Sequence, residues 1–292
     1  MNRVLVIGAT GLIGYCIFKK YSNSKDNNVI GTYFSHEYND FKYLDIKDKS
    51  NIEIIFSDFK PNIVFCPASV PNVEFCEEYP DISRETNVIA IKTIIDYCKM
   101  HDSKLIYFST EYIFDGKSGP YLEVDQPNPI NEYGKQKVEV EDYIINNIND
   151  YLIVRTTVVF GWEIAGKNFV ISLIKKLNFG DKVKVPIDQI SSPTYVNNLI
   201  DILNCLISKN RIGIYNIAGS ETMSRYKFAL KICTVFDLNM ANLIPVETKM
   251  LNQKASRPLN AGLKIDKIIS ICDIKPLSPI NGLKNMFNSY YG

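Results

Sequence analysis

The sequence predicts an α/β fold: a Rossmann-like doubly wound parallel sheet followed by a smaller C-terminal α/β substrate-binding lobe. Three observations carry this expectation. Apolar runs alternate with helical patterns through the first half, and the runs are apolar throughout, as strands covered on both faces are. A glycine turn, Gly8-Ala-Thr-Gly11-Leu-Ile-Gly14, follows the first apolar run directly. After Gly161 the pattern changes, and short strands and helices mix closely. Residues 1–160 are therefore expected to form the first domain and 161–292 the second, with a segment at about 188–217 returning to the first.

In chain order, residues 3–7 (RVLVI) read as a buried strand and residues 15–23 as a helix. A strand, a glycine turn and a helix make the context that a dinucleotide fingerprint requires, although the spacing here is G-x-x-G-x-x-G. Gly8 suits a tight turn, Gly11 lets the backbone approach a pyrophosphate, and Gly14 lets helix and strand pack closely. With Thr10, Leu12 and Ile13 they are candidate cofactor contacts, at a helix N-terminus that offers free N–H groups to phosphate. A plain β-turn is the alternative. Asn28–Tyr33 reads as the second strand, and a ribose belongs just past its end. No acid stands there before Glu37, whereas Ser35 and His36 can meet a 2′-phosphate. The segment favours NADPH, with NADH as the alternative cofactor; His36 also fits a surface loop. Lys42–Ile46 reads as a short strand whose Asp45 and Ile46 can contact an adenine or simply cap a turn.

Ser50–Phe59 reads as a helix, Ile63–Cys66 as a buried strand, and Pro67-Ala68-Ser69 as a small-residue exit with room for a cofactor. Ser83–His101 reads as one long helix with apolar positions at 88, 91, 94, 95 and 98. Lys104–Phe108 is the strand that delivers Ser109 and Thr110. Tyr151–Val159 reads as another buried strand. The second half adds helices at Lys167–Leu177, Val196–Ile207 and Ser224–Phe236, and strands at Lys182–Ile187 and Gly213–Ile217.

Composition narrows the function. Thirty-three basic residues against 32 acidic ones give a net charge of +1, so no general electrostatic case exists for nucleic acid or an anionic membrane. No apolar stretch approaches the roughly 18 residues of a membrane span, and no signal peptide is apparent. Seven cysteines without a C-x-x-C pair suit reduced thiols in a cytoplasmic protein. Two distant histidines offer no zinc site, so no metal is expected.

Tyr133 and Lys137 stand four residues apart, so a helix places them on one face. A free tyrosine has a pKa of about 10 and is a poor acid–base group near neutrality. A neighbouring ammonium favours its phenolate. Tyr133 can then pass a proton to or from a substrate oxygen, and Thr110 can polarise the same carbonyl. Thr110, Tyr133 and Lys137 are the candidate catalytic residues, and they fit hydride transfer between a nicotinamide and a carbonyl carbon. Alone, the Tyr–Lys pair also fits a helix surface.

These residues carry a resemblance. GATGLIG at 8–14, FSTEYIFDGKSGPYLEVDQPNPINEYGKQK at 108–137, VRTTVVFG at 154–161, KNF at 167–169, SSPTYVNNL at 191–199 and RPLNAGL at 257–263 resemble extended short-chain dehydrogenase/reductases. Among these the chain is most similar to dTDP-4-dehydrorhamnose reductases. The resemblance implies a Rossmann domain with a nucleotide-sugar lobe, NADPH (or NADH), and reduction of a 4-keto group on a nucleotide-linked 6-deoxyhexose in surface-polysaccharide sugar biosynthesis. It implies Thr110, Tyr133 and Lys137 as catalytic residues, the last two also touching cofactor with Pro67, Ala68 and Ser69. It implies Val70, Glu74, Ser109, Asn168, Phe169 and Arg257 on the substrate side. The chain departs from the reductase pattern at Val158, at Glu74 in place of aspartate, and at Cys66-Pro67-Ala68-Ser69. RPLNAGL also resembles the regulatory β subunit of methionine adenosyltransferase, which leaves a non-catalytic regulatory role as an alternative beside a nucleotide-sugar epimerase. Glu111 is followed by Tyr112, so the acid pair that dehydratases use is missing. The segment 280–291 is expected to be either a docking helix or a homodimer contact.

Overall fold

The computed structural model describes residues 1–35, 37–38, 40–163 and 166–291. The chain begins β1 (Asn2–Val6), α1 (Leu12–Ser22), β2 (Asn27–Tyr33), β3 (Lys42–Tyr43), α2 (Lys49–Phe59) and β4 (Ile63–Cys66). Two short helices follow, α3 (Val73–Glu78) and α4 (Pro80–Arg84), then a π-helical turn at Glu85–Ala90 that leads into α5 (Ile91–Met100). β5 (Lys104–Thr110), α6 (Glu132–Asn147) and β6 (Tyr151–Thr156) complete the first half. The second half runs β7 (Val159–Phe160), α7 (Phe169–Asn178), β8 (Val183–Pro186), β9 (Ile190–Ser191), β10 (Thr194–Tyr195), α8 (Val196–Ser208), β11 (Gly213–Asn216), β12 (Met223–Ser224), α9 (Arg225–Phe236), β13 (Leu243–Val246), α10 (Asp266–Ile271) and α11 (Pro279–Tyr291).

The chain divides into two compact units: residues 1–109, 131–154 and 210–215, and residues 110–130, 155–209 and 216–292. The central sheet has seven strands in the order β11-β6-β5-β4-β1-β2-β3, and β1 pairs in parallel with both β2 and β4. The chain moves outward from β1 through β2 to β3, then returns to place β4 on the other side of β1. That reversal opens a crevice beyond the carboxyl ends of β1 and β4, where ligands of such sheets bind. The strands are apolar because helices cover both faces: Leu5, Val64 and Leu105 are fully buried in one core with Phe56, Ile94 and Val140. The second unit has its own core, which includes Phe160, Val170, Phe228 and Ile232.

Several elements differ from the sequence reading. The helix expected over Ser83–His101 is broken, because the turn at Glu85–Ala90 widens to π geometry. The five apolar positions are buried as expected, but the widening also carries Asn87 inside, to 1% exposure. β3 ends at Tyr43, so Asp45 and Ile46 lie in the turn beyond it. The strand expected over Tyr151–Val159 stops at Thr156, because Val158 takes a left-handed φ of 42°, which a β-branched residue rarely adopts. Strand pairing resumes where Val159 meets Thr194 of β10. α3, α4 and the two- to four-residue strands β9, β10, β12 and β13 are too short to leave a periodic signal. α11 is not left to a docking partner on its apolar face: Leu283 and Met286 are fully buried in the second core, and Trp162 Nε1 donates to the Met286 carbonyl at 2.6 Å.

The three turn glycines answer to different constraints. A Cβ at Gly14 would lie 2.9 Å from Ala9 Cα and nearer still to the Gly8 oxygen, both backbone atoms that cannot yield. A Cβ at Gly11 would meet only the Gly8 oxygen, at 3.6 Å. Gly14→Ala is therefore expected to destabilise the fold by about 3 kcal/mol, an overpacking penalty. Gly11→Ala should cost less than about 1 kcal/mol, the loss of a tolerable N-cap. Urea unfolding of the two variants checks this; equal destabilisation would refute the distinction.

Candidate active site

The glycine turn is built to present backbone rather than side chains. Gly8 has a φ of +86°, and its N–H is fixed by Thr32 Oγ1 at 3.1 Å. The Ala9 N–H is held by the Thr32 carbonyl at 2.8 Å. The turn meets the exit of β4 at close range, since a Cβ on Gly8 would sit 3.1 Å from Ala68 Cβ. Gly11 is the N-cap of α1, no side chain caps it, and no acid occupies the first turn. The amide donors and the positive end of the helix dipole are thus left for an anion. Nothing in the packing requires Gly11 to lack a side chain, so its openness suits a ligand approaching along the backbone. These residues fit the diphosphate of a dinucleotide.

The other expected cofactor contacts are placed unevenly. Thr10, Leu12 and Ile13 border the turn and are half-buried. Ser35 is exposed after β2, and His36 lies outside the described residues. Asp45 serves its own turn by accepting from the Lys47 N–H at 2.9 Å, while Ile46 packs against the first core. Pro67, Ala68, Ser69 and Val70 are half-buried beyond β4.

Tyr133 and Lys137 lie on α6, which starts where expected: Asn131 caps it by accepting from the Gly134 N–H at 2.9 Å. Tyr133 is half-buried, whereas Lys137 is only 4% exposed. The Lys137 ammonium donates to the Phe108 carbonyl at 2.9 Å, 4.7 Å from the centre of the Tyr107 ring and 5.7 Å from that of Tyr133. Burial lowers its pKa to about 8, against the pull of Cys66, Glu141 and Cys76. The charge is therefore held close to the tyrosine in a setting where it is weakly screened. Burial pushes the Cys66 thiol up to about 12, so Cys66 is inert packing. Ser109, next along β5, has a buried hydroxyl without a hydrogen-bond partner among the described residues.

Sequence reasoning missed what holds this arrangement in place. Asn87, carried inward by the π turn, accepts from the Val70 N–H at 2.7 Å and donates to the Val70 carbonyl at 3.1 Å and to Gln136 Oε1 at 2.8 Å. Gln136 Nε2 donates to Ser83 Oγ at 2.8 Å. These buried amides tie the loop after β4 to the helix that carries Tyr133 and Lys137. The only sequence signal was two amides at otherwise helical positions. Glu77 also meets α6, accepting from the Glu132 N–H at 3.0 Å, while Glu74 is half-buried on α3.

In the second unit, Thr110 Oγ1 donates to Glu111 Oε2 at 3.1 Å and accepts from the Tyr112 N–H at 3.2 Å. Burial raises the Glu111 pKa, opposed by Thr157, Arg225 and Thr110 among its neighbours. A protonated Glu111 can donate to Thr110 Oγ1 and leave the threonine proton for another acceptor. Asn168 is engaged as the N-cap of α7: its oxygen accepts from the Ile171 N–H, and its amide donates to the Gly161 carbonyl and Glu163 Oε1, both at 2.9 Å. A substrate contact would have to displace one of these bonds. Phe169 and Arg257 are half-buried, and Arg257 donates to the Ala255 carbonyl at 2.9 Å. Among the described residues, no group of three or more His, Cys, Asp or Glu side chains can hold a metal, and no helix is long and apolar enough to cross a membrane.

The family model of the RmlD substrate binding domain matches residues 1–291. A dTDP-4-dehydrorhamnose reductase from Aggregatibacter actinomycetemcomitans is 30% identical over 301 residues, covering 98% of each chain. Methionine adenosyltransferase 2 subunit beta from Xenopus tropicalis is 30% identical over 281 residues, covering 92% of this chain and 82% of the relative. The crystal structure of dTDP-4-dehydrorhamnose reductase from Bacillus anthracis in complex with NADP superposes with a TM-score of 0.89 at 28% identity, covering 99% of each chain.

The buried ammonium makes a stability prediction. Lys137 binds its proton less readily in the folded chain, at about 8 against an ordinary 10.5. The folded state therefore carries a penalty below pH 8, on the order of 3 kcal/mol, which fades as pH rises toward the unfolded value. Stability relative to Lys137→Met should accordingly rise between about pH 8 and about pH 10.5. Urea unfolding of both proteins across that window checks it, and a difference that does not change with pH would contradict the buried charge.

Proposed function

We propose that this chain, which belongs to the RmlD substrate binding domain family, is an NADPH-dependent oxidoreductase that reduces the 4-keto group of a nucleotide-linked 6-deoxyhexose. The observation that carries the reading is the buried ammonium of Lys137 beside Tyr133 on one face of α6. NADP in the Bacillus anthracis reductase supports NADPH as the cofactor, with NADH as the alternative. The reductase relative that matches across 98% of both chains supports a sugar linked to a nucleoside diphosphate. Surface-polysaccharide sugar biosynthesis is the setting such a product suits.

When bound, the cofactor supplies a hydride to the carbonyl carbon. The chain supplies the rest. Gly8, Thr10, Gly11, Leu12, Ile13 and Gly14 hold the diphosphate on backbone, and Pro67, Ala68 and Ser69 leave room beside them. Tyr133 gives its phenolic proton to the carbonyl oxygen. The phenolate left behind is stabilised by Lys137, whose ammonium is held by the Phe108 carbonyl instead of turning to solvent. Within the second unit, the Thr110 hydroxyl is free to donate to another acceptor when Glu111 is protonated.

The relative from Xenopus tropicalis favours a second reading, a regulatory subunit with little turnover. The Lys137 ammonium lies 5.7 Å from the centre of the Tyr133 ring, which supports the enzyme. The test is oxidation of NADPH, followed by absorbance, with a panel of nucleotide-linked 4-keto-6-deoxysugars. Turnover is expected, and Tyr133→Phe should reduce it by about 10²-fold or more, as loss of a general acid does. Gly11→Ala should weaken NADPH binding while leaving the fold intact. Cofactor binding without oxidation on any ketosugar would favour the regulatory reading, and sugar isomerisation without net oxidation would point to an epimerase.

A further inference from the structure

We propose that Glu141 is the counter-charge of Lys137: its carboxylate, one turn further along the buried face of α6, holds the ammonium beside Tyr133 and makes Glu141 a positioning residue for the reduction; this rests on the ketosugar reductase reading. α6 turns Gly134, Gln136, Lys137, Val140, Glu141 and Ile144 inward. Tyr133, Lys137 and Glu141 follow one another at i, i+4 and i+8, so phenol, ammonium and carboxylate share one row of the helix. Lys137 is 4% exposed and Glu141 2%. Among the described residues of the first unit, they are the only basic and the only acidic side chain that are buried. The acids beside Glu141 are placed differently: Glu139 pairs with Arg84 and Lys92, all three partly exposed, and Asp142 is exposed. Charged side chains are almost never buried unless paired, and one of each sign a single turn apart in the same interior answers that cost for both.

The other groups that face the ammonium do not supply this charge. Its hydrogen bond goes to the Phe108 carbonyl, which is neutral. Tyr107 of β5 presents its ring 4.7 Å away, and burial pushes the pKa of its phenol well up. Cys66 of β4 and Cys76 of α3 are thiols that burial keeps protonated, Cys66 up to about 12. Tyr133 is the proposed proton donor itself. Glu141 is the one carboxyl among the groups that pull on Lys137. It acts through the interior rather than through the ammonium's hydrogen bond. Val140 and Ile144, on either side of it along α6, pack in the same core as Tyr107, so little water screens the two charges. Glu141 thus offsets part of the burial cost that brings Lys137 down to about 8. Without it, the ammonium is lost at a lower pH.

The test is the Cε resonance of Lys137 in the full chain carrying 13C-labelled lysine, assigned by its loss in Lys137→Met and followed against pH. The wild-type midpoint is expected at about 8. Glu141→Gln should lower it by about one pH unit or more, and Glu141→Asp, which keeps the charge, should return it most of the way. The falling limb of single-turnover NADPH oxidation should move down with the midpoint, with the KM for the ketosugar unchanged. An unchanged Lys137 midpoint in Glu141→Gln overturns the counter-charge. If that variant does not fold, the double variant Glu141→Gln/Lys137→Met decides. Recovery of a folded chain, read by urea unfolding, supports the pair, because removing both charges leaves neither unpaired. Failure of the double variant to fold where Lys137→Met alone folds overturns it. A midpoint that moves in a chain that reduces no ketosugar would sink the reductase reading alone. Ketosugar reduction with a midpoint that stays fixed in Glu141→Gln would sink the counter-charge alone.

Discussion

The hydrogen bond from the Lys137 ammonium to the Phe108 carbonyl is the contact on which the proposed chemistry depends. It places a positive charge in the interior, one helical turn from Tyr133, and ties α6 to the end of β5. A buried charge is tolerated only when its donors are satisfied and its surroundings are fixed. The surroundings are fixed by Asn131 capping the helix, by Gln136 bonded to Ser83 and Asn87, and by Asn87 bonded to both backbone groups of Val70. The same amides set the loop after β4 that borders the glycine turn, so Tyr133 and that turn share one support.

The glycine turn shows how fold and function divide within seven residues. Gly14 is demanded by close packing of α1 on its own turn, and Gly8 by its positive φ. Gly11 is demanded by neither. A residue that the fold does not constrain, at an uncapped helix N-terminus without acids, is best explained by what the turn receives.

Most of the fold was legible in the sequence because it rests on signals longer than one turn. The apolar strands, the glycine turn and the Asn131 and Ser224 caps all stand where periodicity and end chemistry place them. The π turn at Glu85–Ala90 was not legible, since one extra residue in a helical turn leaves the flanking apolar spacing intact. Asn87 was hidden with it. Val158 was read as strand because nothing in VVFG announces a left-handed residue. For the candidate site, the Tyr133–Lys137 spacing was visible, but the burial that gives Lys137 its effect was not. Asn168 is committed to capping α7. Those facts depend on packing between segments far apart in sequence, which local patterns do not carry.

The central claim is that the buried charge of Lys137 makes Tyr133 an effective proton donor. The most direct test is the single-turnover rate of NADPH oxidation by a nucleotide-linked 4-keto-6-deoxysugar, measured against pH. Because the Lys137 pKa is lowered to about 8, the ammonium is lost as pH rises through that value. The rate should fall across the same interval and follow one proton. A rate that stays flat from about pH 6 to about pH 10 would contradict the account.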